Sequence, residues 1–103
     1  MQTKRDANHK EIAGALRKAG VEFRDVSMHR GLGCDLLARH RDGYIVAIEI
    51  KRPGPPSSRK LTESEESLRV MFPEFFRVCQ TIEEAFRACG FEGVVVVKEA
   101  KTT

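Results

Sequence analysis

The sequence predicts an α/β fold, a mixed sheet flanked by helices, with elements in the order α-β-β-β-α-β and a further α-β toward the C-terminal end. Three observations carry this. Asp42-Gly43 stands between two apolar segments and is a strong hairpin signal. Thr62 with Glu65, and Thr81 with Glu84, have the spacing of capping boxes that open helices. Pro53, Gly54, Pro55 and Pro56 cannot continue a central strand, so residues 52–60 separate the hairpin from the helix that follows.

The elements follow in order. Ile12, Leu16 and Ala19 recur at helical spacing, Asp6 or Asn8 can cap this first helix, and Gly20 stops it. Residues 21–28 (VEFRDVSM) read as a strand, broken by Gly31-Leu32-Gly33. Residues 35–38 and 44–51 form the two arms of the hairpin. A helix from Thr62 to about Met71 ends before Pro73, residues 75–79 are a strand, and the second capping box opens a helix that stops at Gly90. Val94–Val97 is apolar enough for a final buried or edge strand. All 103 residues make one domain, with a core over about 8–89 and a C-terminal strand and tail over 90–103.

Composition narrows the function classes. No stretch approaches the roughly 20 apolar residues of a membrane span. The opening residues, MQTKRDANHK, lack the apolar region of a signal peptide, so cytoplasmic residence is expected. Cys34, Cys79 and Cys89 are odd in number and show no C-x-x-C spacing, which argues against a disulfide framework or a zinc knuckle. Cys79 and Cys89 read as small core hydrophobes. The net charge of +3 says little, but its distribution says more. Residues 51–60 hold Lys51, Arg52, Arg59 and Lys60 with no acid, Arg39-His40-Arg41 adds another basic group, and residues 61–84 are mainly acidic.

The chemistry concentrates at one point. Side chains alternate along a strand, so Glu49 and Lys51 share a face with Ala47 and Ile45, while Val46, Ile48 and Ile50 point the other way. The hairpin returns Asp35 beside the far end of that strand. Asp35 and Glu49 are hard oxygen ligands and, with the backbone carbonyl of Ile50, suit Mg²⁺ or Mn²⁺ and the phosphate oxygens such ions take. Lys51 can orient a water or offset phosphate charge. A lone Glu-x-Lys is ordinarily a solvated strand face, and an aspartate after glycines is ordinarily a turn residue. Their combination across a hairpin is the informative feature.

With Gly31, Gly33, Asp35, Glu49 and Lys51 in this arrangement, the chain resembles the PD-(D/E)xK nuclease superfamily over roughly residues 8–89. The likeness is greatest to stand-alone VRR-NUC nucleases and archaeal Holliday-junction resolvases. The resemblance implies a restriction-endonuclease-like fold and a Mg²⁺-dependent DNA endonuclease, with Mn²⁺ as substitute, that leaves 5′-phosphate ends. It also implies that Asp35, Glu49 and Lys51 are catalytic and that Glu11, on the first helix, adds a metal-binding carboxylate.

Two positions depart from the family pattern. Cys34 replaces the usual proline before the aspartate. Glu65 stands where glutamine is usual and can bind metal, repel DNA, or serve only in the capping box. The basic loop makes Arg52, Arg59 and Lys60 candidate phosphate contacts, with His29 and Arg30 beside the glycine turn. A domain this small favours recognition of DNA shape, such as a Holliday junction or flap, over a long sequence. A twofold dimer would present paired sites to such a branch, and Phe72, Phe75, Phe76, Phe86 and Phe91 can serve an interface or fill the core. The competing expectations are a catalytically decayed DNA-binding module on the same fold and a protein-interaction subunit whose partner supplies the chemistry.

Overall fold

A computed structural model describes residues 4–92; the expected Val94–Val97 strand lies outside them. The chain runs through helix α1 (Lys4–Lys18), strands β1 (Phe23–Asp25), β2 (Leu36–Arg39) and β3 (Ile45–Ile50), helix α2 (Glu63–Met71), strand β4 (Phe76–Cys79) and helix α3 (Ile82–Ala88). The sheet order is β1-β2-β3-β4, with β1, β2 and β3 antiparallel and β4 parallel to β3. A parallel neighbour needs a crossover connection, and the segment through α2 supplies it. The mixed α/β architecture and its element order match the expectation as far as Ala88.

Four local details differ, the first being that β1 covers only Phe23–Asp25 of the expected 21–28, with Ser27 turning back to bond Asp25. Helix α1 begins at Lys4, so Asp6 and Asn8 lie inside it rather than capping it. Residues 52–60 are not wholly irregular, since Pro56–Arg59 forms one 3-10 turn. Thr62 and Glu65 make the full reciprocal box at α2, whereas only half of it forms at α3. Thr81 accepts from the Glu84 N–H, but the Glu84 carboxylate accepts from the N–H of Gln80, one residue further out.

Alternation along the strands divides the sheet into two faces. Leu36, Ala38, Val46, Ile48, Ile50 and Cys79 pack beneath Ile12 and Leu16 of α1 and Ala85, Phe86 and Cys89 of and after α3. Fully burying aliphatic side chains of this size contributes about 1.5–3 kcal/mol each, which makes this face the main core. The opposite face gathers Cys34, Ala47 and Phe76 with Leu37, Val78, Leu61 and the α2 residue Leu68. It is the thinner layer, and the expected functional residues fall on it.

Two glycines shape that layer. Gly43 closes the hairpin at φ 102°, within a connection in which His40 N–H bonds to Tyr44 O at 2.8 Å. Gly33 has φ 101°, and a Cβ built on it would stand 2.5 Å from Ser64 O and 2.9 Å from Leu68 Cβ. Only a residue without a side chain lets α2 approach the turn before Asp35 so closely.

Candidate functional site

Asp35 enters the site because it is the last residue before β2 and is pinned on three sides. Its N–H donates to Ile48 O at 2.9 Å, its carbonyl accepts from Val26 N–H at 2.8 Å, and its Oδ2 accepts from Ile50 N–H at 2.8 Å. It is 2 % exposed. The hairpin thus brings Asp35 against the end of β3, as the sequence suggested.

Glu49 sits on the α2 face, 1 % exposed. Its Oε2 is a buried polar atom without a hydrogen-bond partner, and Lys51 Nζ lies 3.5 Å from it. The ion pair with Lys51 at 3.5 Å offsets only part of the desolvation cost of that oxygen. Burial, then the charge of Asp35 and the facing carboxyl of Glu65, push Glu49 far above the usual carboxylate range against a smaller opposing pull from Lys51. The metal-free site thus favours a protonated Glu49 carboxyl over a wider pH range than a free glutamate has.

Glu65 completes the cluster from α2. Its Oε1 accepts from Lys51 Nζ at 2.9 Å and from Thr62 N–H at 2.8 Å. Burial alone would raise its pKa, but the bonds from Thr62, Lys51 and Glu49 outweigh it and hold the group below its ordinary value. Glu65 therefore serves both as capping-box acid and as the principal partner of Lys51. The neighbouring Cys34 thiol is pushed up to about 11 by burial and by the charges of Glu49 and Asp35, a second sign of concentrated negative potential.

Hard oxygen donors beside one another, one of them without a hydrogen bond, are the kind of group a divalent cation takes, and such an ion would relieve the crowding of Asp35 and Glu49. Among the described residues no group of three or more His, Cys, Asp and Glu side chains is arranged as a ligand cage. Two carboxylates and a backbone carbonyl suit an ion such as Mg²⁺, which keeps several of its waters. Asp35, Glu49 and the Ile50 carbonyl are the groups that would hold it.

The remaining expected residues divide. Glu11 is exposed on α1, and no hydrogen bond or ion pair joins it to Glu49 or Lys51 among the described residues. Arg59 turns inward, donating to Glu84 Oε2 at 2.7 Å and Val78 O at 3.1 Å, and so braces β4 against α3. Arg52, Lys60, His29 and Arg30 are exposed. Phe76 and Phe86 are buried core, whereas Phe72 and Phe75 are exposed.

Sequence reasoning missed the residues that hold the strand end. Asn8 Nδ2 donates to Lys51 O at 2.8 Å and to Gln80 O at 3.2 Å, and Gln80 Nε2 donates to Arg52 O at 2.7 Å. The available signal was an asparagine inside a helix, where its propensity is poor and its side chain needs a reason to be there.

The fold and site define a small α/β domain with a buried carboxylate–lysine cluster at the end of a hairpin. Compared with protein-family models, curated proteins and solved structures, the chain matches none.

Proposed function

We propose that the chain is a metal-dependent, structure-selective DNA endonuclease that hydrolyses phosphodiester bonds, at branched DNA such as a Holliday junction or flap. The observation that carries this reading is Glu49. Two carboxyls, Glu49 and Asp35, are buried together, and one Glu49 oxygen has no hydrogen bond and only an ion pair with Lys51 at 3.5 Å, an arrangement that a further cation would relieve. Lys51 beside the same group supports it further.

Asp35, Glu49 and the Ile50 carbonyl would hold Mg²⁺ or Mn²⁺ in this reading. The ion supplies a bound water of lowered pKa and counter-charge for the phosphate. The protein's own part is positional. Asp35 is fixed by the Ile50 N–H, so the two ligand-bearing strands cannot slide apart. Lys51, fixed by Glu65, presents a compact ammonium beside the carboxylates, where it can hold the attacking water or donate to a phosphate oxygen. Asn8 and Gln80 hold the backbone at Lys51 and Arg52 and so set where that ammonium begins. A twofold dimer would give two such sites, and the exposed Ile45, Phe72 and Phe75 offer it apolar surface.

One observation favours a second reading. Glu65 occupies the Lys51 ammonium at 2.9 Å, as it would in a DNA-binding module without cleavage. A panel of labelled junction, flap, splayed-arm and linear duplexes with Mg²⁺ or EDTA separates the two. Metal-dependent cutting that disappears in Lys51→Ala supports the nuclease. Binding without cutting at any metal concentration supports the module.

A further inference from the structure

The sheet face that bears Asp35, Glu49 and Lys51 also bears arginines at its other end. Arg24 pairs across the sheet with Leu37, and Leu37 with Ala47, so all three share the α2 face. Arg39, two residues beyond Leu37, shares it as well. Both arginines are exposed and line a groove of about 660 Å³ along the β1–β2 edge. Arg17 reaches the same groove from α1, with its guanidinium 5.1 Å from the Phe23 ring centroid.

These charges are uncompensated. Among the described residues Arg17, Arg24 and Arg39 make no ion pair, while Arg59, Arg69 and Arg87 each have a glutamate partner. The nearest acid on β1, Asp25, belongs to the opposite face and is taken by His9 at 2.8 Å and by Ser27. Glu22 is the single carboxylate residue lining the groove. Three guanidiniums against one carboxylate attract a polyanion, and planar guanidinium groups match phosphate.

The spacing suits duplex DNA. Arg39 lies four residues along β2 from Asp35, which is about 13 Å of strand. The major groove of B-form DNA is about 12 Å wide. With the reach of the arginine side chains added, a duplex whose phosphate lay at the carboxylate end would have phosphates across its groove within range of the arginine end. We propose that Arg24 and Arg39, with Arg17 at the edge, form a second anchor for the DNA phosphate backbone on the same face as the candidate active site. The orientation rests on the nuclease reading, but binding here needs no cleavage.

The test measures anisotropy of a labelled DNA duplex against salt concentration, in EDTA, with the full chain. Arg24→Ala/Arg39→Ala is compared with Arg69→Ala/Arg87→Ala, which removes the same charge from glutamate-paired positions. Removing one arginine–phosphate pairing lowers the slope of log K against log salt by about 1. The first pair is expected to lower it by about 2 and the second by about 0, with Arg24→Lys/Arg39→Lys restoring most of the slope. Equal changes in both alanine pairs, or displacement of DNA by polyglutamate at equal charge, would overturn the proposal. Binding through Arg24 and Arg39 by a protein that cuts nothing upholds the anchor and removes the nuclease reading. Cutting with unaltered KM in the double variant does the reverse.

Discussion

Lys51 Nζ stands 2.9 Å from Glu65 Oε1, closer than its 3.5 Å approach to Glu49 Oε2. The lysine that follows β3 is thus held from α2, an element separated from it by the whole proline-rich loop. The same Glu65 oxygen closes the capping box through Thr62, so the start of α2 and the position of the lysine are one structural fact.

Glu65→Gln and Glu65→Ala should therefore separate. Glutamine keeps an acceptor for Thr62 N–H and Lys51, whereas alanine removes both bonds and leaves a half-buried ammonium less compensated. Bonds to charged groups contribute about 1.5–3 kcal/mol. Urea unfolding is expected to show a loss in that range for alanine and less than half of it for glutamine. Equal losses would mean that Glu65 matters only for its size.

Metal should stabilise the fold through Glu49. A ligand that binds only the native state at a hundred times its Kd adds about 2.7 kcal/mol. Mg²⁺ or Mn²⁺ is expected to raise the melting temperature of the native protein near neutral pH. Glu49→Gln should abolish that rise, and an unchanged rise would place the ion elsewhere.

The pH dependence has a definite sign. The Glu49 carboxyl is raised in the folded state from an ordinary 4.5, so the folded protein binds the proton more tightly than the unfolded chain. The Glu49 contribution to metal-free stability is therefore fully present below 4.5 and is lost as the pH rises toward the raised value. Glu65, held low, contributes in the opposite sense and loses its share as the pH falls. Melting curves in EDTA should show the Glu49 loss in the native protein and a flatter profile in Glu49→Gln.

Asp35→Asn and Lys51→Ala are each expected to lower metal-dependent cleavage by about a hundredfold or more, the scale of removing one preorganised charged group. DNA binding in EDTA should persist in both. Glu11→Gln, altering an exposed helix residue, should cost less than about tenfold; an effect as large as that of Asp35→Asn would restore Glu11 to the site.

Gly33→Ala tests the approach of α2. The new Cβ would meet Ser64 O at 2.5 Å in a backbone with φ 101°, and such a residue costs of order 1–3 kcal/mol before any clash. Calorimetry should show a loss of at least that size. Cleavage should also fall, because α2 carries the Glu65 that positions Lys51. A neutral substitution would show that α2 can shift freely.

The local elements were legible in the chain before it folded. Strand alternation, the Asp42-Gly43 turn and the Thr62–Glu65 box act over a few residues, and each formed where its residues stand. The meeting of Asp35, Glu49 and Lys51 was legible too, because hairpin register is a local property. Packing alone settled what Lys51 and Arg59 bind, which phenylalanines are core, that Asn8 holds the end of β3, and that Glu49 keeps a buried oxygen with an ion pair to Lys51 but no hydrogen bond. Those outcomes depend on contacts between residues far apart in the chain. A charged or amide side chain carries no mark of its distant partner, since burial and the competition among carboxylates for one lysine exist only once the layers have packed.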